Sequence, residues 1–348
     1  MILRTAGLIY GAAAEWRRRW YGRNPARRQR LRQPVISVGN LSVGGSGKTP
    51  IVAHVARLLM AQGERPSVLS RGYGRRKSGG EVTVVSDGKT VLADLDSSGD
   101  EPLMLGRALP GVPVLVGASR CRLGRFAEER FGVSVHLLDD GFQHVELERD
   151  VDLLVVDEED LKDAPMPAGR LRESLAAAAH ADAAMVAAGY DEAAVRVGRA
   201  LGLSTVFRVV RRVGAPRVIA TGEPVVVPTD EPVFAVAAIA RPERFLSDLA
   251  SAGWRVAGVM TFRDHHRFTS RDVARITAAA RSAGATIVMT TEKDAVRLEG
   301  RSLGPVLVAA VPLSITIEPA SVFADWLRNR LRSARGTSAS QHPSTLLS

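Results

Sequence analysis

Cysteine is almost absent from this chain: among 348 residues Cys121 stands alone. That excludes an internal disulfide and any zinc cluster built on several thiolates, and it fits a reducing compartment. Cys121 itself reads as a small packing residue. Repeats of solenoid period are missing too. Nor is there a basic footprint over the whole chain. Of the formal net charge of +10, residues 1–33 hold +8 and residues 301–348 hold +3, which leaves the middle near neutral, about −1. No nucleic-acid partner is therefore expected.

The amino-terminal segment lacks a run long enough to cross a bilayer. Its charge-free stretch, residues 5–14, is ten residues long, about half of the ~20 that span the hydrocarbon core. Around it Leu3, Leu8, Ile9, Tyr10, Trp16, Trp20 and Tyr21 mix with Arg4, Arg17, Arg18, Arg19 and Arg23. Rings beside arginines suit the headgroup zone, so residues 1–23 can form an interfacial amphipathic helix on a membrane surface. A helix packed on its own domain with a solvated basic face satisfies the same pattern. Residues 333–348 are rich in serine and threonine with little apolar content. They are expected to be disordered.

With 45% hydrophobic residues, the chain has material for a large core or two domains. Strand-like runs alternate with helical or loop segments from Val35 to Val210, the pattern of a doubly wound, mainly parallel sheet. Prolines and glycines break periodicity at 213–232, which reads as a hinge. A second alternation fills 233–332. The expected fold class is thus α/β, with a P-loop NTPase-like sheet at 24–212 and a smaller carboxy-terminal α/β domain.

Residues 35–50 carry the strongest chemical signal: an apolar strand enters a glycine-rich turn ending Gly-Lys-Thr. Gly44, Gly45, Ser46 and Gly47 would cradle a phosphate with backbone N–H groups, Lys48 would reach the β/γ-phosphates and Thr49 would ligate Mg²⁺. ATP and Mg²⁺ are the cofactors this implies. Ser42 stands where the strict motif has its first glycine. After a later strand, Asp139 and Asp140 form an adjacent acidic pair that needs a cation nearby, as the metal site of a phosphate-loop protein would supply. Asp157 is a rival for that role and ranks second, because the acidic run beside it reads as a solvated loop.

Other loops supply further candidates. The run Ser-Arg-Gly-Tyr-Gly-Arg-Arg-Lys at 70–77 combines glycines with four cations, among them Arg71, as a loop gripping an anionic or sugar-bearing ligand would. Asp100 opens a helical pattern and is either an acidic cap or a base for an acceptor hydroxyl. Asp264 and His265 form a possible acid/base pair facing the first domain. The run Thr-Glu-Lys-Asp at 291–294 has the wrong spacing to read guanine and is expected to be a strand-to-helix turn near an interdomain cleft.

In their order along the chain, these segments resemble the tetraacyldisaccharide 4'-kinase family. The matching runs begin at Gly39, Ser70, Gly99, Asp139, Ala168, Arg241, Asp264 and Thr291. The resemblance implies transfer of the ATP γ-phosphate to the 4'-hydroxyl of a tetraacylated glucosamine disaccharide 1-phosphate. It places the enzyme on the cytoplasmic face of the inner membrane, peripherally, and favours the membrane reading of residues 1–23. It further implies that Lys48 and Thr49 contact phosphate and Mg²⁺, that Asp139 and Asp140 are metal-site carboxylates, and that Asp100 is the base assisted by His265. Gln143, His144, Arg172 and Glu173 would be nearby active-site groups. Arg170, Ser174, Ala238 and Ala240 depart from the family pattern and bear on local loop geometry. A regulatory nucleotide switch acting on a protein partner is the alternative function.

Overall fold

The computed structural model describes residues 2–45, 47–77, 80–301, 304 and 306–341. Helix α1 (Ile2–Arg23) precedes eight strands: β1 (Val35–Asn40), β2 (Pro66–Ser70), β3 (Thr83–Asp87), β4 (Pro113–Val116), β5 (Val135–Asp139), β6 (Val151–Val156), β7 (Ala183–Ala187) and β8 (Val206–Val213). Between them lie α2 (Lys48–Ala61), α3 (Leu95–Ser98), α4 (Asp100–Ala108), α5 (Arg120–Phe131) and α6 (Asp191–Ala200). A second series follows, with β9 (Arg217–Val218), β10 (Pro232–Ala237), α7 (Pro242–Ser251), β11 (Arg255–Thr261), α8 (Ser270–Ser282), β12 (Ile287–Thr291), α9 (Glu292–Leu298) and β13 (Leu307–Val311). The described chain ends with β14 (Leu313–Glu318) and α10 (Ala320–Gln341).

Within the described residues the strands make two sheets, ordered β14-β8-β7-β6-β1-β5-β2-β4-β3 and β11-β10-β12-β13-β9. The larger is parallel except at its edges, where β3 and β14 run antiparallel to their neighbours. Its central strands are near-continuous Val, Ile and Leu because helices cover both faces, and every residue of β1, β5 and β6 is buried. Helix α2 turns Ile51, Val52, Val55 and Leu59 inward, each adding roughly 1.5–3 kcal/mol of burial. Since β1 lies between β5 and β6, the winding reverses there. Such a switch point opens a crevice at the carboxyl ends of the strands.

Two boundaries differ from the sequence expectation. The smaller unit does not extend to residue 332. After β13 the chain returns to the larger sheet, where β14 pairs with β8 and α10 buries Phe323, Leu327 and Leu331 in the core of that sheet. Nor does order end at 332: α10 continues to Gln341, and Arg335 holds Glu64 at 2.7 Å. A buried anchor one turn earlier and an ion pair beyond it carry the helix into a segment too polar to fold alone. The expected hinge also contributes structure, since β9 joins the smaller sheet beside β13 and Val227 packs in its core.

Candidate functional site

The phosphate loop begins at the carboxyl end of β1 and ends in the first turn of α2. Gly44 and Gly47 have φ of 103° and 75°, the left-handed region that glycine enters without steric cost. Ser46 lies outside the described residues. Ser42 needs no glycine, for its φ is not positive, and its carbonyl accepts from Asn40 Nδ2 at 2.7 Å. Lys48 Nζ donates to Asn40 Oδ1 at 2.8 Å and stands 3.3 Å from Asp140 Oδ1. Gly44, Gly45, Gly47, Lys48 and Thr49 all line one cavity of about 1220 Å³.

Parallel pairing puts Asp139 opposite Val38 of β1, so the acidic pair sits directly beside the phosphate loop. Asp139 is buried, and desolvation followed by the charge of Asp140 pushes its carboxyl up to about 7. Asp140 takes a left-handed φ of 57°, which turns it toward cations. Burial alone would raise it, but Lys48 and then Arg172 outweigh that and lower it. Arg172 donates to Asp140 Oδ2 at 2.7 Å and to Gln143 Oε1 at 3.3 Å. Gln143 in turn donates to the carbonyl of Asn40. Arg71 and His144 line the same cavity, with His144 lowered to about 4 by burial and then by Arg120.

Both flanks of β1 are acidic at their ends, which corrects the reading of Asp157 as part of a solvated loop. It lies at the end of β6, the other neighbour of β1, and is buried. Arg241 and Arg244, reaching from the start of α7, hold it at 2.8 and 2.9 Å. Desolvation, then Asp160, still raises it to about 6. Its partners are protein cations from the smaller unit, whereas Asp140 is paired with Lys48 of the phosphate loop and with Arg172.

Asp100 is the first residue of α4, and His265 projects from the turn after β11 with a strained φ of 59°. His265 Nδ1 lies 2.8 Å from Asp100 Oδ2. Burial would raise Asp100, but hydrogen bonds from His265 and Arg297 outweigh it and hold the carboxyl at about 2. An ionised carboxylate only accepts, so Nδ1 carries the proton. His265 Nε2 is 3.2 Å from Lys293 Nζ, which also holds Glu101 at 2.6 Å and Asp264 at 3.2 Å. His265 lines the cavity, and Asp100 stands behind it. Asp100, Glu101 and His265 bring ligand atoms within 4.8 Å of one another, but Arg297 and Lys293 already neutralise that cluster.

Glu173 also lines the cavity, but its carboxylate is engaged by a cation of the protein itself. Both its oxygens accept from Arg18 of α1 at 2.7 Å, deep in the protein. Arg18 also donates to the carbonyl of Phe142 and lies over its ring. One face of α1 therefore lines the cavity through Tyr10, Ala13, Ala14 and Arg17, while Leu3, Leu8, Ile9 and Trp16 are exposed. The sequence reading missed Arg297, Lys293, Glu101 and Arg18 as site groups. Lys293 sits inside a run it had singled out, and Arg297 follows at helical spacing on the same face; nothing local marks Arg18.

The family model described as tetraacyldisaccharide-1-P 4'-kinase matches residues 1–332. A protein named tetraacyldisaccharide 4'-kinase from Geobacter metallireducens is 40% identical over 314 residues, covering 88% of this chain and 89% of that one. Another of that name from Koribacter versatilis is 38% identical, covering 91% and 95%. Among solved structures, the "apo" form LpxK from Aquifex aeolicus in complex with ATP superposes with a TM-score of 0.74 at 29% identity, over 94% of this chain and 98% of that one. The chain belongs to the tetraacyldisaccharide 4'-kinase family.

Proposed function

We propose that this protein binds ATP in the phosphate loop and transfers its γ-phosphate to the 4'-hydroxyl of a tetraacylated disaccharide 1-phosphate, a step of lipid A biosynthesis. The observation that carries this reading is that the phosphate loop and His265, with Asp100 behind it, line or back onto the same cavity. Its volume of about 1220 Å³ exceeds the roughly 300–1,000 Å³ of an ordinary small-molecule site, as a donor and an acceptor held together require.

Phosphoryl transfer asks a protein mainly for positioning and charge neutralisation. Backbone N–H groups of Gly44, Gly45 and Gly47 hold the phosphates, Lys48 and Arg172 add cations on the γ side, and the acceptor hydroxyl gives its proton to the Asp100–His265 pair. This reverses the roles expected from the sequence, where Asp100 is the base assisted by His265: with Asp100 held near 2, the carboxylate serves as the anion behind the ring, and Nε2 of His265 receives the proton. Lys293 donates to Nε2 in this arrangement, so the hydroxyl replaces that contact. The donor set suits Mg²⁺: Thr49, Asp139 and Asp140 offer only oxygens, and the two adjacent carboxylates, Asp139 buried, repel each other unless a cation stands near. Bound there, Mg²⁺ would neutralise charge on the phosphates.

An acceptor with four acyl chains stays in the bilayer, and the exposed apolar and basic face of α1, continuous with the cavity rim, is suited to bring the enzyme to the cytoplasmic face of the inner membrane. No helix among the described residues is long and apolar enough to cross it. The test supplies purified protein with labelled ATP, Mg²⁺ and the disaccharide lipid in anionic vesicles. Label transferred to the lipid is the expected result; phosphate release indifferent to the lipid would replace the kinase with a nucleotide switch. In a parallel arm, removal of residues 1–22 should release the protein from the vesicles, and undiminished binding would remove α1 from that role.

A further inference from the structure

Arg297 is buried without facing the substrate cavity, and nothing in the reaction as described so far uses it. All of its donor groups are committed: Nε at 2.8 Å and Nη2 both reach Asp100 Oδ2, while Nη1 donates to the Ala238 carbonyl and to Asp294 Oδ1, each at 3.0 Å. Asp294 is fully buried, and its second oxygen accepts from the Ala238 N–H and the Thr291 hydroxyl. Arg297 is thus locked from one side by the smaller unit and presents its other edge to α4 of the larger one.

An ion pair serving stability alone is a poor use of a buried guanidinium, since well-packed apolar residues do as well or better. Here the pair ends on the carboxylate that orients His265. We propose that Arg297 is a positioning residue for the proton-accepting pair: its two donors on one oxygen keep Asp100 ionised and turned toward His265 Nδ1, so that the transferred proton is taken at His265 Nε2. This rests on the Asp100–His265 reading above.

Among the described residues, the Tyr73 ring packs against His265 with centroids 5.4 Å apart, and the charged groups facing Asp100 and His265 are these. On α4 there is Glu101, paired to Lys293; from α9 come Lys293, Asp294 and Arg297; from the turn after β11 comes Asp264, also on Lys293. Asp96 of α3 is occupied by Arg267. Arg297 is therefore the cation that contacts Asp100 directly. Without it the buried carboxylate, which must stay ionised to hold the Nδ1 proton, becomes easier to protonate. That moves the acidic limb of the pH–rate profile to higher pH.

The experiment measures kcat, KM for ATP and the pH profile of lipid phosphorylation for Arg297→Met, Arg297→Lys and Asp100→Asn. Misplacing a catalytic group by about 1 Å costs on the order of 10²-fold. Arg297→Met is expected to lose kcat on that scale, with KM for ATP within about twofold and the acidic limb displaced upward. Arg297→Lys, which keeps the charge but not the two-donor edge, should lose kcat by about tenfold with the limb in place. A fall in kcat uniform across pH in Arg297→Met means a structural role only and overturns the inference, as does wild-type kcat in either variant. Should Arg297→Met fail to fold, a wild-type kcat in Arg297→Lys still overturns it. Wild-type turnover in Asp100→Asn sinks the Asp100–His265 reading itself, whereas an inactive Asp100→Asn beside a normal Arg297→Met and Arg297→Lys sinks this inference alone.

Discussion

At the scale of single residues, the candidate site opposes two carboxylates with opposite electrostatics. Asp100 is held near 2 by His265 and Arg297, while Asp139 is pushed to about 7 by burial and its neighbour Asp140. For Asp139 the folded chain binds a proton that the unfolded chain releases near pH 4. Its contribution to stability is therefore fully present below about pH 4 and is lost as pH rises through about 7. Asp139→Asn removes that penalty. In metal-free protein the variant should gain stability at pH 8 relative to pH 4.5, by up to roughly 3 kcal/mol at about 1.36 kcal/mol per pKa unit, while losing phosphoryl transfer. Thermal unfolding in chelator at the two pH values is the measurement; an equal shift at both would mean that Asp139 is not strained in the folded state. Residue types at motif positions were legible in advance, but partners were not. That Asp139 and Asp140 flank the loop could be read from the strand that ends on them, whereas the grip of Arg297 on Asp100 spans 197 positions and leaves no local signature.

At the scale of elements, the central parallel strands were legible as unbroken apolar runs buried on both faces, and α2 as a helix with one apolar stripe. Pattern fails where burial comes from elsewhere. The sequence pattern assigns the whole of 233–332 to the smaller domain, yet β14 alternates Leu-Ser-Ile-Thr-Ile-Glu as an edge strand of the larger sheet; Pro312 hid it by separating it from β13 by a single residue. Helix α1 is a comparable case, since its docking depends on one pair in the interior. Arg18 and Glu173 are each about 5% exposed and joined by two bonds of 2.7 Å. Removing one member of a buried pair costs about 3–5 kcal/mol, because the other stays charged and dry. Arg18→Met should therefore lose stability on that scale in denaturant titration, and Arg18→Met with Glu173→Met should recover most of it. If the double variant is as unstable as the single one, the pair's packing over Phe142 matters more than its charge.

At the scale of the whole molecule, the two sheets meet over the phosphate loop, and this juxtaposition is what no reading of either half could supply. A Cβ built on Gly45 lies 3.7 Å from Cβ of Ala240, in the turn between β10 and α7. That separation falls in the roughly 3.5–4.5 Å that a disulfide needs, and Gly45, unlike Gly44 and Gly47, has no positive φ to strain a new side chain. The only native thiol, Cys121, is buried, so it will not compete for the oxidant. A Gly45→Cys, Ala240→Cys protein should consequently form one crosslink on oxidation and fix the smaller unit against the loop. The crosslink tests whether a triphosphate passes between these walls to reach Lys48 and Thr49: ATP affinity of the oxidised form should then fall at least about tenfold, a change of about 1.4 kcal/mol or more. Reductant should restore it to the level of the unoxidised double variant, which controls for the substitutions themselves. Retained ATP affinity in the crosslinked form would mean that nucleotide enters by another route and that contact between the sheets at this point does not gate the site.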